Sequence, residues 1–201
     1  VEGAIPDLIK DPSRGLIRQT EGTYVITPHE SISLTDTQSW RDNRTRAYYS
    51  DSLTHINGFM LFDVSAIPDT DVVTGMTLKC YLEDDFGNPR DNPIVDVYYS
   101  ADDGWTRGSA NPGDLSLDTL LLDNVPFPAY VSEYDFVLDA AAHDWTADLA
   151  DNEICIAIHN DVNYYSFLYV FGAYGDPAGP PCELTIDTDP VPVELMSFHV
   201  E

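Results

Sequence analysis

The sequence has 201 residues, of which 43% are hydrophobic and 11% aromatic, so its length suits one β-sandwich domain with a sizeable core. Asp and Glu number 35 against nine Lys and Arg, which gives a net charge of −26 and argues against nucleic acid or anionic lipid as a partner. Six of the nine basic residues lie in residues 1–46. Residues 47–201 are therefore strongly acidic, and such a surface attracts Ca²⁺ or the basic part of another protein.

Apolar residues recur with period two along the chain, in short runs bounded by Gly, Pro, Asn and Asp, which predicts an all-β sandwich or barrel. In the run Met76, Leu78, Cys80 every second residue is apolar, so one face of that strand is expected to be buried. The expected strands are 23–27, 45–50, 56–63, 75–82, 94–99, 134–138, 154–159, 168–172 and 182–187. The one expected helix is short, residues 140–149, with Asp139 as its N-cap.

Three regions follow from these elements: an N-terminal tail (1–22), a β-domain (23–187) and a C-terminal tail (188–201). The C-terminal tail contains another strand-like run, because Met196, Phe198 and Val200 alternate with more polar residues. Such a tail is expected to dock on its own domain or on a neighbouring copy, and head-to-tail docking propagates into a fibre or tube. The expected assembly residues are Val191, Val193, Leu195, Met196, Phe198 and Val200.

The three cysteines, Cys80, Cys155 and Cys182, allow at most one disulfide within the chain. Cys80 and Cys182 both lie in alternating apolar runs, which favours buried free thiols, and a bridge between them is the alternative.

Four segments, taken in order, carry a family resemblance. They are residues 59–68 (FMLFDVSAIP), the strand at 76–82, residues 137–139 leading to Asp144 and Trp145, and residues 171–174 before 181–186. This order resembles the DNRLRE-type domains of secreted bacterial and archaeal proteins, a jelly-roll family related to carbohydrate-binding modules. The resemblance implies a jelly-roll β-sandwich of two antiparallel sheets, an extracellular setting and glycan binding, and it implies no catalytic residues. The chain departs from the family in its acidity, its long 100–124 loop and its two apolar tails.

Calcium is the cofactor that the acidic loops favour, because hard cations take six to eight oxygen ligands from loops that can curl around them. Asp84, Asp85, Asn88 and Asp91 lie within one Gly- and Pro-containing loop, and a second acidic turn contains Asp102 and Asp103. Neither turn has the EF-hand spacing. The alternative is that both are solvated loops that keep the protein soluble.

Aromatic residues raise a second possibility, a platform that stacks on sugar rings. Each of three tyrosine pairs directs one ring to either side of its strand, and the candidates are Tyr49, Tyr99 and Tyr165. Packing on a half-buried sheet is the favoured alternative. Trp145 is expected to close one end of the sandwich and Trp105 to anchor its loop, with ligand stacking as the alternative.

No nucleophile, acid–base pair or zinc motif stands out, so the protein is not expected to be an enzyme. The chain begins at Val1 and contains no signal peptide and no long apolar run, so we expect a processed, secreted product without membrane insertion, located outside the cell or at its surface. The leading hypothesis is a subunit of an extracellular filament or tube, a homopolymer joined head-to-tail by strand donation and stabilised by Ca²⁺. The alternative is a carbohydrate-binding module of a secreted protein, with polysaccharide as its partner.

Overall fold

The computed structural model describes residues 9–10, 16–20, 22–35, 39–40, 44–50, 53–81, 94–111, 113–126, 133–161, 166–171 and 180–190. Within these residues the strands are β1 (Ile9–Lys10), β2 (Leu16–Thr20), β3 (Thr23–Ile26), β4 (Glu30–Leu34), β5 (Ser39–Trp40), β6 (Arg44–Ser50), β7 (Leu53–Asp63), β8 (Val72–Tyr81), β9 (Ile94–Ser100), β10 (Thr119–Pro126), β11 (Glu133–Leu138), β12 (Glu153–Asn160), β13 (Ser166–Phe171) and β14 (Glu183–Asp189). A 3₁₀ turn (Ala140–Ala142) and one short helix, α1 (Thr146–Asp151), precede β12.

The strands form two antiparallel sheets with the jelly-roll order. The first sheet contains β3-β14-β8-β11 and the second contains β10-β9-β12-β7. When these eight strands are numbered along the chain, the orders are 1-8-3-6 and 5-4-7-2, the arrangement of two interlocked Greek keys. The predicted fold class, an all-β jelly-roll sandwich with one short helix, is confirmed.

The main core lies between the sheets and follows the alternation of the sequence. Met76, Leu78 and Cys80 of β8 point inward, whereas the residues between them are half-buried. The central strands of the second sheet are apolar on both faces, since Met60 and Phe62 of β7 enter the main core while Phe59 and Leu61 pack on the outside. The unbroken apolar run of residues 59–62 fits this central position, because a strand buried on both faces needs apolar residues at successive positions.

Strand β6 crosses the inner side of β7 at Gly58. A Cβ at this position would overlap the Thr45 side chain and lie 3.0 Å from the Arg46 carbonyl oxygen. Only glycine leaves room for so close an approach. The pair β6–β13 thereby brings Ala47 and Val170 into the main core.

The predicted boundaries at residues 22 and 187 do not coincide with the ends of the sheet. Strand β2, inside the predicted N-terminal tail, pairs antiparallel with β3 over four residues. At the other end β14 continues to Asp189, and buried Thr188 donates its hydroxyl to Asp71 and its N–H to the Gly22 carbonyl. The remainder of the C-terminal tail, residues 191–201, lies outside the described residues.

The predicted helix over 140–149 is wrong in its continuity. Asp139 does cap its first turn, where its Oδ1 accepts a hydrogen bond from the Ala141 N–H at 3.1 Å. His143 then adopts an extended conformation, and the Asp144 carboxylate accepts the N–H and hydroxyl of Thr146 and so begins a separate helix. Asp commonly competes with helix continuation in this way, because its short side chain bonds the nearby backbone.

All three cysteines are free and buried. Cys80 lies on β8 and Cys182 directly precedes β14, the strand that pairs with β8; hydrogen bonding between their thiols, followed by burial, raises the pKa of Cys80 well above its usual value. None of the helices in the described part of the chain is long and apolar enough to cross a membrane.

Candidate functional site

The outer face of the second sheet is covered by the loop that connects β9 to β10. Trp105 of this loop is buried against a second apolar cluster on that face, which includes Phe59, Leu61 and Ala157. The interpretation of Trp105 as a loop anchor is confirmed. The β9–β10 loop therefore covers this part of the outer face of the second sheet.

Carboxylates hold this loop in place by accepting backbone N–H groups. Asp118 accepts from Ala101 at 2.7 Å, and Asp114 accepts from Asn111 at 2.7 Å. Glu30 of β4 accepts from the Arg107 N–H at 3.0 Å, which ties the loop to the sheet. A shallow pocket of about 340 Å³ remains in the loop, lined by Asp102, Gly104, Trp105, Ser109, Ala110, Asp114 and Leu115.

The predicted calcium ligands are only partly described. Asp84, Asp85, Asn88 and Asp91 lie outside the described residues. Asp102 and Asp103 have different polar neighbours, and their role as calcium ligands stays a prediction. Asp102 accepts hydrogen bonds from the N–H and hydroxyl of Ser116 at 2.8 and 2.7 Å. Asp103 is influenced instead by Asp151 and Asp148, and burial, followed by these two charges, raises its pKa.

Asp103 belongs to a concentration of carboxylates at the start of β12, which we call the acidic cluster. Its members are Glu30, Asp63, Asp103, Asp151 and Glu153. Burial of the Glu153 carboxyl, followed by repulsion from the other four, raises its pKa to about 6. His29, which carries a positive charge when protonated, lies beside this carboxyl, with its Nε2 3.6 Å from Glu153 Oε1. The raised pKa thus reflects burial first and the repulsion between neighbouring carboxylates second.

A second group of polar side chains lies at the opposite end of β12, about 20 Å from Glu153 at the usual rise per strand residue. His159 of β12 lies directly across from Asp96 of β9 in the strand register. Asp161 follows two residues later on the same side, and its N–H is fixed to the Ile94 carbonyl at 2.9 Å. One ligand atom from each of Asp96, His159 and Asp161 lies within 4.8 Å of the others. We call these three residues the Asp–His–Asp site, and in the described part of the chain no other group of three or more His, Cys, Asp or Glu meets that distance.

Neighbouring residues act on two members of this site, His159 and Asp96. His159 Nδ1 lies 2.7 Å from Asn57 Oδ1, and burial, followed by the charge on His55, lowers the pKa of His159 to about 4. The imidazole is therefore neutral at pH 7. Asp96 accepts the Asn124 N–H at 2.7 Å, while burial above all raises its pKa.

Sequence reasoning missed the Asp–His–Asp site. The only signal in the sequence is one polar residue within each of two apolar strands, Asp96 in β9 and His159 in β12. Their meeting depends on the β9–β12 register, which joins strands that the sequence separates by several other elements. The register was not predictable from composition or spacing.

The tyrosine platform is wrong at Tyr99, which is 8% exposed and faces the main core. Its ring stacks on His143 at 3.8 Å between centroids, and burial, followed by a hydrogen bond to Asp148, raises its pKa. The prediction chose the wrong member of the pair. Tyr98, not Tyr99, lies on the outer face, where it is half-buried beside the loop. The Tyr49 side chain and all of Tyr165 lie outside the described residues.

Trp145 closes the sandwich beside α1, as predicted. It is buried in the main core, and its indole N–H donates to the Ala140 carbonyl at 2.7 Å. His143 joins this group through a 3.0 Å contact between its Nε2 and the buried carboxylate of Asp148. The arrangement is a satisfied polar network, which serves packing.

Six assembly residues were expected in the C-terminal tail, and all lie outside the described residues: Val191, Val193, Leu195, Met196, Phe198 and Val200. Donation of the C-terminal tail therefore stays a prediction.

Comparisons with known proteins add no relative: no protein-family model matches the sequence, and no curated protein matches it significantly.

Proposed function

We propose that the protein is a structural subunit of an extracellular filament or tube. In this proposal residues 191–201 of one copy add as a strand to the next copy, and Ca²⁺ offsets the acidic surface. The observation that carries the proposal is the edge of the first sheet at β11. Within the described residues β11 pairs with β8 alone, and its outward Val137 is 69% exposed. An edge strand offers backbone N–H and C=O groups to an incoming strand, and apolar side chains nearby add affinity.

The position at which β14 ends supports donation. Strand β14 lies between β3 and β8, and its last residue, Asp189, pairs with Val72 at the beginning of β8. Strand β3 also begins at this rim, at Thr23 opposite Asp187. Strand β14 therefore ends at the rim of the sheet, beside exposed Val72.

The charge of the subunit requires a counterion in this proposal. Copies with a net charge of −26 repel one another at long range. The acidic cluster shows the same repulsion locally, since the raised pKa of Glu153 arises partly from the charges of four neighbouring carboxylates. Divalent cations that bind acidic loops reduce this repulsion, so assembly is expected to require Ca²⁺ and to fail in chelator.

The decisive experiment removes residues 191–201 and leaves β14 complete, because Thr188 is buried and hydrogen-bonded. Phe198→Asp is the matched point variant and Phe198→Leu its control. On the acceptor side, Val137→Asp is compared with Val137→Thr. Sedimentation velocity and electron microscopy in Ca²⁺ measure assembly, and circular dichroism verifies folding.

We expect the deletion, Phe198→Asp and Val137→Asp to remain folded monomers while the parent protein and both controls assemble. A deletion variant that forms the parent's oligomer overturns strand donation. A parent protein that stays monomeric at all concentrations, with and without Ca²⁺, overturns the subunit proposal as a whole.

A carbohydrate-binding module is the second candidate, and the outer face of the first sheet favours it. Tyr81, Thr77 and Thr185 are half-buried on this face, and Lys79 lies over the Tyr81 ring at 5.5 Å. An aromatic ring among hydroxyl groups suits a sugar, whereas the described residues of the β9–β10 loop pack on the outer face of the second sheet. Retention of the monomer on an insoluble polysaccharide, lost in Tyr81→Ala and kept in Tyr134→Ala, would favour this candidate. Failure across a broad polysaccharide panel would exclude it.

A further inference from the structure

Two carboxylates and one imidazole converge at the end of β12 where the sheet meets solvent. Asp96 is 4% exposed, the His159 side chain is largely buried, and the Asp161 side chain is 52% exposed. His159 Nε2 lies 4.0 Å from Asp161 Oδ1. We propose that Asp96, His159 and Asp161 bind a divalent transition-metal ion, for which Zn²⁺ is the best match.

The buried carboxylate is the first argument. Taking an ionised carboxylate out of water is costly unless it is paired or bound to a metal. Asp96 accepts hydrogen bonds from the Asn124 N–H and the Tyr98 hydroxyl, and neither donor carries a positive charge to balance the carboxylate. The second carboxylate, Asp161, lies on the same side of the sheet and adds negative charge instead of balancing it. A divalent cation between the two would balance both.

The orientation of His159 is the second and independent argument. Because the Asn57 Oδ1 atom can only accept a hydrogen bond, the 2.7 Å contact places the imidazole proton on Nδ1. The lone pair is then on Nε2, the nitrogen that faces Asp161. Histidine ligands in metal sites are held in this way, with the far nitrogen donating to an oxygen that fixes the ring. Asn57 would thus be a positioning residue.

The ligand set selects the class of metal. Ca²⁺ takes oxygen ligands in large number, whereas this site offers one nitrogen and two carboxylates. Imidazole with carboxylate suits Zn²⁺ and neighbouring transition ions, and three protein ligands with one open position is a common zinc arrangement. The exposed side of Asp161 leaves that position to water. The site is separate from the acidic cluster and does not depend on whether the protein assembles.

The test uses the full chain, first stripped of metal with chelator and then titrated with Zn²⁺ or Ca²⁺ alone. Isothermal titration calorimetry gives stoichiometry and affinity, and Co²⁺ substitution with visible absorption reports nitrogen coordination. The variants are His159→Gln, Asp161→Asn and Asn57→Ala. Asp161→Asn is expected to fold because its side chain is half exposed, and Asp69→Asn, an exposed carboxylate elsewhere, is the control.

We expect one high-affinity Zn²⁺ per chain and no binding of Ca²⁺ at this site. Loss of His159 or Asp161 is expected to abolish that event, Asn57→Ala to weaken it about 10- to 100-fold, and Asp69→Asn to leave it unchanged. Zn²⁺ binding that survives in both His159→Gln and Asp161→Asn overturns the proposal, as does the absence of any Zn²⁺ binding in the folded parent protein.

Discussion

Replacing Glu153 by Gln is expected to stabilise the protein at neutral pH. In the folded state repulsion and burial raise the pKa of this carboxyl from 4.5 to about 6. A pKa shift of this size corresponds to at most about 2 kcal/mol of unfavourable free energy in the folded state. Because 35% of the side chain is exposed, solvent screening reduces the expected effect to ~1 kcal/mol. A change of that size raises the melting temperature of a domain this long by about 2–4 °C.

The pH dependence follows from the sign of the shift. A carboxyl with a raised pKa holds its proton more tightly in the folded state, so its unfavourable contribution is absent below pH 4.5 and complete above pH 6. The groups that face it are Glu30, Asp63, Asp103, Asp151 and His29. Urea unfolding of parent and variant at pH 7.5 and pH 4 measures the difference, with Asp69→Asn as the control for net charge. A variant that is less stable than the parent at pH 7.5, or a gain that persists at pH 4, would refute the reasoning.

Three further changes test the packing. Gly58→Ala places a methyl group against Thr45 and should lower the free energy of unfolding by at least about 1–3 kcal/mol in urea titrations; an unchanged midpoint would contradict the close approach of β6. Trp105→Ala should cost about 3–5 kcal/mol and open the loop to limited proteolysis, whereas resistance equal to the parent's would deny its anchoring role. Refolding with oxidised glutathione should join Cys80 to Cys182 and add about 2–4 kcal/mol, so thiol titration in denaturant should find one free thiol per chain, and three would exclude the bridge.

The sequence predicts the fold well where alternation is strong. The Ile154, Ile156 and Ile158 run placed β12 correctly, because one face of that strand enters the main core. Strand β10 was missed, since two register irregularities and a positive φ at Asn124 interrupt its period of two. Strand β4 was missed as well, because its polar residues alternate with only two apolar ones.

The candidate sites were less predictable than the fold. Asp102 and Asp103 are adjacent in sequence, yet Asp102 accepts a hydrogen bond from Ser116 whereas Asp103 is influenced by the charges of Asp151 and Asp148. In the Asp–His–Asp site, by contrast, residues that are distant in sequence lie close together, because the register of β9 and β12 makes them neighbours. Local composition identifies acidic loops, but convergence of ligands is a property of the register.

The pairing of the first core strand with the last has a kinetic consequence. Thr23 of β3 donates its hydroxyl to Asp187 of β14 across 164 residues of sequence. During synthesis β3 and β8 are therefore complete long before the strand that joins them exists. The first sheet is therefore expected to complete only after β14 is synthesised and to fold slowly, on the order of milliseconds to seconds, as for other β-proteins with distant pairings. Until β14 arrives, two unpaired edges face each other, and a chain halted at that stage is prone to aggregation.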